Sequence, residues 1–350
     1  RFVLSNGHGS MLIYSLLFLT GYDLSIDDLK NFRKLGSKTP GHPEVDITSG
    51  VETTTGPLGQ GLANGVGMAL AEKMLASEFN RPGFPVIDHF TYIFLGDGCL
   101  MEGISHEVCS LAGVLKLSKL ICLYDSNNIS IDGNVDPWFN EDVKKRFQAY
   151  GWNVIGPIDG HNVKTVIASL NEATGHQNSG KESKFGPTLI ICNTTIGKGA
   201  PNKQGTSKVH GEALGAEEIK SLKKSLNWNH KEFKVPNNIL KAWNSESVGK
   251  ARQDAWNHLF NSYKEEYPQK AARLMKRVSG KIDKINFELQ IESLARDFIK
   301  NPISMATRKA SQKVLNFLCP IQDSLIGGSA DLTGSNLTKW DGAEPLRLIG

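Results

Sequence analysis

The sequence predicts an α/β fold: a doubly wound parallel sheet with helices on both faces. Five short apolar segments rich in Ile, Val and aromatic residues alternate with stretches of helical pattern. Strands separated by helices of this length indicate a parallel sheet, because each helix carries the chain back to the edge where the next strand begins. The expected strands are Phe2–Ser5, Thr91–Leu95, Leu120–Tyr124, Trp152–Ile155 and Thr188–Cys192.

Six helices are expected between and around these strands. They are Ser10–Leu19, Ile26–Arg33, Pro57–Phe79, Ile104–Leu115, Glu141–Ala149 and Val163–Ala173. The most apolar of them, Met11–Leu19, is shorter than the ~20 residues of a membrane span, so we interpret it as a buried helix. No membrane partner is expected.

The second half of the chain has a different pattern. From Glu217 to about Lys300 it is polar, rich in Lys and Glu, and helical in period, which predicts peripheral helices and a connector. An amphipathic helix at Ser304–Phe317 and a strand at Ser324–Gly327 then predict the start of a second α/β domain.

These observations predict a first domain over residues 1–282, a linker over 283–302 and a second domain that starts within 303–350. Because the chain begins and stops inside apolar runs, we expect segments to be missing at both ends. In particular, the second domain would be incomplete.

Composition narrows the class of protein. The 350 residues are 39% hydrophobic and 22% charged, with a net charge of +4. This mild excess favours an enzyme for anionic small molecules, and the absence of an aromatic and basic stripe argues against a nucleic-acid partner. The five cysteines form no CxxC pair, so we expect reduced core thiols in a cytoplasmic protein.

A carboxylate and an amide follow two neighbouring predicted strands. Asp97 lies between two glycines directly after Thr91–Leu95, and Asn127 follows Leu120–Tyr124, 30 positions later. Adjacent parallel strands would bring both side chains to the same edge of the sheet. Their oxygens suit Mg²⁺ or Ca²⁺ that also binds phosphate oxygens. The pair predicts a metal and diphosphate site; the alternative is an ordinary Asp-Gly turn with an Asn cap.

A glycine-rich loop, Gly50–Gly61, leads into a long helix, with Pro57 expected in the first helical turn. Unpaired N–H groups at such a helix start can bind anions. The loop matches neither the P-loop nor the GxGxxG pattern, and ordinary helix-start glycines explain it equally well.

Three histidines, His8, His42 and His210, lie in loops and are flanked by Gly or Pro. None has the spacing of a zinc ligand. Each alone is most simply a surface histidine. Together, in a fold that gathers loops at one edge, they predict polar contacts and proton transfer with a hydroxylated substrate.

Seven ordered motifs make the sequence similar to the transketolase family. They are SNGHGS, KTPGHPE, TTTGPLGQG, LGDGCLMEGISHEVCSLAG, DSNNISIDG, TTIGKGAPNKQGT and RKASQ…GGSADLTGSNLTKW. The resemblance extends over essentially the whole chain and implies the thiamine-diphosphate-binding fold. It makes 1–282 the diphosphate- and metal-binding domain and 303–350 the start of a pyrimidine-binding domain.

The resemblance implies thiamine diphosphate and Mg²⁺, for which Ca²⁺ can substitute. Asp97, Asn127 and the main-chain carbonyl of Ile129 would be the metal ligands. The implied cofactor contacts are His8, Gly56, Pro57, Leu58, Gly98, Glu102, Asn127, His210 and Asp331.

The implied catalytic residues are His8, His42 and His210. Substrate would contact His42, His210, Arg308 and Ser335, the last two holding the sugar phosphate. Glu102 resembles the carboxylate that couples two cofactor sites across a dimer.

The implied reaction is transfer of a two-carbon ketol unit from a ketose phosphate, such as xylulose 5-phosphate or sedoheptulose 7-phosphate, to an aldose phosphate in the pentose phosphate pathway. A homodimer with its active site at the subunit interface is implied. Since the family's first segment and most of its second domain are missing, we expect little activity from these 350 residues alone.

Other interpretations stay open. Deoxyxylulose-phosphate synthase, phosphoketolase and dihydroxyacetone synthase would use the same metal site, and the last is the hardest to exclude because acceptor choice depends on few positions. A non-catalytic cofactor-binding or dimerisation module is a further alternative. A nicotinamide dehydrogenase is disfavoured because GxGxxG with a following acidic residue is absent.

Overall fold

A five-stranded sheet organises the first part of the chain. The computed structural model describes residues 1–175, 186–280 and 284–346. The strands of these residues are β1 (Phe2–Leu4), β2 (Thr91–Gly96), β3 (Leu120–Ser126), β4 (Ile129–Ser130), β5 (Gly133–Asn134), β6 (Asn153–Asp159) and β7 (Thr188–Asn193). The large sheet has the order β1-β2-β3-β7-β6, and β4 and β5 form a separate short hairpin.

Fourteen α-helices are described in the same residues. They are α1 (Met11–Thr20), α2 (Ile26–Lys30), α3 (Gln60–Phe79), α4 (Asp97–Met101), α5 (Gly103–Val114), α6 (Val143–Ala149), α7 (Val163–Ala173), α8 (Ala216–Ser225), α9 (Asn237–Trp243), α10 (Glu246–Glu266), α11 (Pro268–Val278), α12 (Lys284–Lys300), α13 (Thr307–Ile321) and α14 (Thr333–Asn336).

Every pairing in the large sheet is parallel, so the carboxyl ends of its strands share one edge. Between β2 and β3 the register pairs Gly96 with Asp125, and between β3 and β7 it pairs Ser126 with Asn193. The segments that follow β2, β3 and β7 therefore leave the sheet side by side.

Helices cover both faces of the sheet. Successive strand residues point to opposite faces, and they enter different cores. On one face, Ile93 and Leu95 of β2 pack with Leu62 and Val66 of α3 and with residues of α5 and α6. On the other face, β1 packs with α1, and β3 and β7 pack with α7. The predicted doubly wound α/β fold is confirmed.

All five predicted strands of the large sheet are present, with boundaries shifted by up to four residues. The long predicted helix at Pro57–Phe79 begins later, at Gln60. Gly59 precedes it with a φ of 80°, a conformation that a helix cannot include. The placement of Pro57 in the first helical turn was therefore wrong, since this residue lies in the turn before the helix.

The chain divides into two compact units, Arg1–Leu259 and Phe260–Gly350, at a boundary within α10. In the described part of the second unit every regular element is a helix. The strand predicted at Ser324–Gly327 is wrong, because these residues have no regular structure. A strand needs hydrogen bonds from a neighbour, and the described residues of this unit offer no partner strand.

The expected connector at 283–302 contains α12, and the helix predicted at Ser304–Phe317 is α13. Across the described residues, no helix is long and apolar enough to cross a membrane. All five cysteines are free; Cys99, Cys109, Cys122 and Cys192 are buried as expected of core thiols, whereas Cys319 is only partly buried.

Candidate active site

A cavity of about 700 Å³ opens at the carboxyl ends of β1, β2 and β3. This is the edge at which parallel sheets bind ligands. Seven of the predicted site residues line it: His8, Leu58, Asp97, Gly98, Asn127, Ile129 and His210. Residues separated by up to 202 positions in sequence thus share one cavity wall.

Asp97 and Asn127 reach the cavity from neighbouring strands. Gly96, the last residue of β2, pairs with Asp125 of β3, so Asp97 and Asn127 both lie just beyond this pair. The expectation that the two residues share one edge of the sheet is confirmed.

The Asp97 carboxylate is 4% exposed and accepts two hydrogen bonds. The Tyr124 hydroxyl donates to Oδ1, and the backbone N–H of Asn128 donates to Oδ2 at 2.9 Å. Burial raises the pKa of Asp97, whereas these two hydrogen bonds act in the opposite direction. No ion pair of the described residues includes Asp97, so its buried carboxylate has no cationic partner among them.

Asn127 lies in the turn between β3 and the β4–β5 hairpin, and Ile129 is the first residue of β4. The Asn127 Oδ1 accepts from the Ile129 N–H at 2.9 Å, and its Nδ2 donates to Asp125 Oδ2 at 3.1 Å. Asn128 between them has a φ of 59°, which Asn tolerates better than most residues. This tight turn holds the Asn127 amide and Ile129 at the same end of the cavity.

Two of the predicted histidines stack on each other. The ring centroids of His8 and His210 are 4.8 Å apart, with 13° between the ring planes. Desolvation lowers the pKa of His8, and the charges of His210 and His42 lower it further. Among the described residues, the buried Nδ1 atom of His210 has no hydrogen-bond partner.

His42 approaches the glycine-rich loop instead of lining the cavity. A Cβ atom added to Gly56 would lie 3.4 Å from His42 Cγ, so these two residues are close together. The backbone carbonyl of His42 accepts from the Tyr14 hydroxyl at 3.2 Å, which ties the histidine loop to α1.

The three predicted cofactor contacts of the glycine-rich loop differ in whether they line the cavity. Leu58 lines the cavity, whereas Gly56 and Pro57 do not. A Cβ on Gly98 would lie only 2.8 Å from Leu58 Cδ1, so glycine at this position keeps the space beside Asp97 open.

Glu102 is exposed and lies outside the cavity wall, between α4 and α5. Arg308, Asp331 and Ser335 lie in the second unit. There the Ser335 hydroxyl donates to the Leu332 carbonyl at 3.1 Å, and Asp331 has a φ of 59°.

Five cavity residues with polar side chains were not selected from the sequence: Asn6, Arg33, Asp125, Ser130 and Glu212. Asn6 and Asp125 stand in the motifs that contain His8 and Asn127, and that proximity was a usable signal. Glu212, two positions after His210, had the same signal, whereas Arg33 had none, because only the fold of its loop brings it to the cavity.

The donor atoms fit a divalent metal and a diphosphate. The Asp97 carboxylate, the Asn127 amide oxygen and a main-chain carbonyl are hard ligands of the kind Mg²⁺ prefers. The described residues contain no cluster of three or more His, Cys, Asp or Glu side chains that could hold a metal by themselves. Phosphate oxygens and water would therefore complete the coordination. Asn6 Oδ1 is buried beside the cavity and has no partner in the part of the chain that the structure describes, so it is one further atom that a bound group can satisfy.

Comparison with known sequences agrees with this chemistry. The sequence profile described as "Transketolase, thiamine diphosphate binding domain" matches residues 1–283. The chain belongs to the transketolase family. Transketolase 1 of Escherichia coli (strain K12) is 52% identical over 346 residues, which are 99% of this chain and 51% of the relative. Transketolase 1 of Pasteurella multocida is 51% identical over 349 residues, again 51% of its length.

Solved transketolases have the same fold. The transketolase of Pichia stipitis in complex with sedoheptulose-7-phosphate matches with a TM-score of 0.87 and 45% identity, over 98% of this chain and 49% of that one. The Leishmania mexicana transketolase matches with a TM-score of 0.85 and 43% identity, over 97% and 49%. This transketolase-family chain therefore spans about half the length of the relatives it matches.

Proposed function

We propose that this chain supplies the thiamine diphosphate and metal half of a transketolase active site. The reaction is transfer of a two-carbon ketol unit from a ketose phosphate, xylulose 5-phosphate or sedoheptulose 7-phosphate, to an aldose phosphate. The observation that carries the proposal is the buried Asp97 carboxylate, which lies beside Asn127 at a cavity of about 700 Å³ and forms no ion pair with the described residues.

Asp97, Asn127 and the carbonyl of Ile129 would hold Mg²⁺, or Ca²⁺ in its place, and the metal would hold the diphosphate. The negative charge of ionised Asp97 attracts the cation, and this attraction offsets the free-energy cost of burying the carboxylate. Thiamine diphosphate, when bound, supplies the electron sink for breaking and forming the carbon–carbon bond. The protein's contribution is to bind, orient and move protons.

Proton transfer is assigned to His8, His42 and His210. The lowered pKa of His8 keeps its ring neutral near pH 7, so it can accept a proton or a hydrogen bond. The unpartnered Nδ1 of His210 can do the same toward the cofactor or the substrate. His42, beside Gly56, is assigned to the hydroxyl groups of the donor sugar.

The glycine-rich loop is assigned to the cofactor. Gly56, Pro57 and Leu58 would contact it along this loop, and Gly98 would contact the diphosphate. Two observations support this assignment. Leu58 lies at the cavity wall, and a Cβ atom added to Gly98 would lie 2.8 Å from Leu58 Cδ1.

Arg308 and Ser335 are assigned to the sugar phosphate. An Arg fork and a Ser hydroxyl are suited to phosphate oxygens. The relatives give the substrate class: structures of the Pichia stipitis transketolase are described as complexes with sedoheptulose-7-phosphate, xylulose-5-phosphate and fructose-6-phosphate.

The proposed assembly is a cytoplasmic homodimer with the active site at the subunit interface. Asp331 is assigned to the cofactor from the second domain, and Glu102 to the coupling of two cofactor sites. The exposure of Glu102 between α4 and α5 is compatible with a partner there. The domain limits 1–282, 283–302 and 303–350 remain part of this proposal.

Calorimetric titration of the chain with thiamine diphosphate in excess Mg²⁺ tests the proposal. We expect saturable heat that requires Mg²⁺ and disappears in Asp97→Ala. Asp159→Ala is the matched control: Asp159 also ends a strand of the same sheet, but within the described part of the chain its carboxylate accepts one hydrogen bond, from the nearby His161 N–H at 2.9 Å. Folded wild-type protein that gives no heat would contradict the site.

A further inference from the structure

Two consecutive residues near the end of β3, Tyr124 and Asp125, contact different side chains of the proposed metal site. Neighbouring strand residues point to opposite faces. Tyr124 belongs to the core that β2 shares with α3 and α5, whereas Asp125 lines the cavity. One strand thus reaches the site from both faces of the sheet.

Tyr124 fixes the plane of the Asp97 carboxylate. Its side chain is 3% exposed, and its hydroxyl donates to Oδ1 while the Asn128 N–H holds Oδ2 at 2.9 Å. Two donors, one on each oxygen, prevent the carboxylate from rotating. Because each carboxylate oxygen can accept more than one bond, a lone pair on each remains for a cation.

Asp125 fixes the orientation of the Asn127 amide. Its Oδ2 accepts from Asn127 Nδ2 at 3.1 Å, and its Oδ1 accepts from the Thr194 hydroxyl just beyond β7. Thr194 is held in turn, because its N–H donates to the Ser126 carbonyl at 3.1 Å. A carboxylate accepts only, so it selects the NH₂ end of the amide and turns Oδ1 the other way.

We propose that Tyr124 and Asp125 are positioning residues for the metal, each orienting the side chain of one metal ligand. The inference rests on the proposed function, since it takes Asp97 and Asn127 as ligands. Partners that orient metal ligands typically change metal affinity about 10- to 100-fold when they are removed. Neither residue needs to touch the metal for this effect.

The test measures metal affinity directly. Mn²⁺, a hard cation with similar ligand preferences, is titrated into the chain at fixed thiamine diphosphate, and free Mn²⁺ is followed by electron paramagnetic resonance. We expect Tyr124→Phe and Asp125→Ala each to raise the Kd for Mn²⁺ about 10- to 100-fold. The melting temperature of the metal-free protein is measured for each variant, because lost positioning weakens binding even where this temperature is unchanged.

Two control variants make the comparison specific. Tyr150→Phe removes a hydroxyl that contacts His106 Nδ1 at 2.9 Å, and Asp159→Ala removes a charge from the same edge of the sheet. We expect both to keep wild-type Mn²⁺ affinity within about 2-fold, well below the effect of removing an orienting partner.

The outcomes separate the inference from the function on which it rests. If wild-type chain binds Mn²⁺ and both Tyr124→Phe and Asp125→Ala bind it equally tightly, the inference is overturned and the proposed function stands. If the wild-type chain does not bind Mn²⁺, both the inference and the proposed function are wrong. If Asp125→Ala does not fold, Thr194→Val takes its place, because it removes the hydroxyl that holds Asp125. A Mn²⁺ affinity of Thr194→Val equal to that of the wild type would then count against the role of Asp125.

Discussion

The ring of His8 illustrates how the cavity sets the chemistry of a single residue. Desolvation is the largest cause of its lowered pKa, followed by the charges of His210, stacked at 4.8 Å, and His42. A neutral ring can act as a proton acceptor at neutral pH, whereas a charged one cannot. The loop sequence Gly7-His8-Gly9 contains none of this information, because the two other histidines come from distant loops.

We expect His8 to titrate below its usual pKa of 6.5. Its Cε1–H resonance, assigned with a His8→Gln variant, reports this in a proton NMR titration. Between the lowered pKa of the folded state and 6.5, the unfolded chain binds a proton at His8 that the folded chain does not. The contribution of His8 to stability is therefore highest above 6.5 and falls as the pH drops through the interval between the two pKa values.

Loss of the neighbouring ring gives the control for this prediction. In His210→Gln the second cause of the shift disappears, so the pKa of His8 should move back toward 6.5. A His8 resonance that titrates at or above 6.5 in the wild type would be inconsistent with the packing around the cavity.

Asp97 is a second residue whose environment explains its position. An apolar strand that ends in a carboxylate is costly unless the charge finds a partner. Tyr124 and the Asn128 N–H provide hydrogen bonds, but no described residue forms an ion pair with the carboxylate. The remaining charge is what a bound metal would neutralise.

At the scale of elements, the glycines of helix α3 let it pack closely against β2 and against the residue that follows β1. A Cβ on Gly61 would lie 2.6 Å from Ser5 Cα, and one on Gly65 would lie 2.2 Å from Ile93 Cδ1. The Leu62 N–H donates to Ser5 Oγ at 3.0 Å within the same buried contact. Ser5 precedes Asn6 of the cavity wall, so the fit of α3 also positions that wall.

We expect Gly61→Ala to lower the free energy of unfolding by about 1–3 kcal/mol, since the backbone of Ser5 must move to admit the methyl group. Helix propensity alone would predict the opposite sign, because Ala is favoured over Gly by about 1 kcal/mol in a helix interior. Urea denaturation followed by circular dichroism measures the difference.

Gly67→Ala on the same helix is the matched control. An added Cβ there meets nothing within 4 Å, so the propensity gain of up to about 1 kcal/mol should appear as added stability. Equal effects of the two substitutions would show that α3 does not approach Ser5 as closely as described.

At the scale of the whole molecule, the chain matches about half the length of its relatives. We therefore expect the 350 residues alone to transfer little or no ketol unit from xylulose 5-phosphate to ribose 5-phosphate. A product assay measures this, with a longer family member such as the Escherichia coli enzyme as positive control. Substantial turnover by the 350 residues would refute the expectation. Formaldehyde as the acceptor in a parallel assay distinguishes dihydroxyacetone synthase activity.

The sequence by itself determined the sheet and its edge. Apolar strands alternating with helices predicted all five strands of the large sheet, because buried parallel strands leave a strong local signal. The same reasoning put Asp97 and Asn127 at one edge, since parallel neighbours end together. The family motifs added the assignments of function, which composition and periodicity could not have provided.

Only the tertiary structure decided the rest. Helix α3 begins at Gln60, after Gly59, and not at Pro57 as the sequence predicted. Ser324–Gly327 lacks the partner that a strand needs, so the local apolar pattern was insufficient in both places. The stacking of His8 on His210 and the contacts of Tyr124 and Asp125 join residues far apart in the chain. Such contacts depend on register and loop geometry, which a one-dimensional pattern does not encode, and they set both the pKa of His8 and the orientation of the proposed metal ligands.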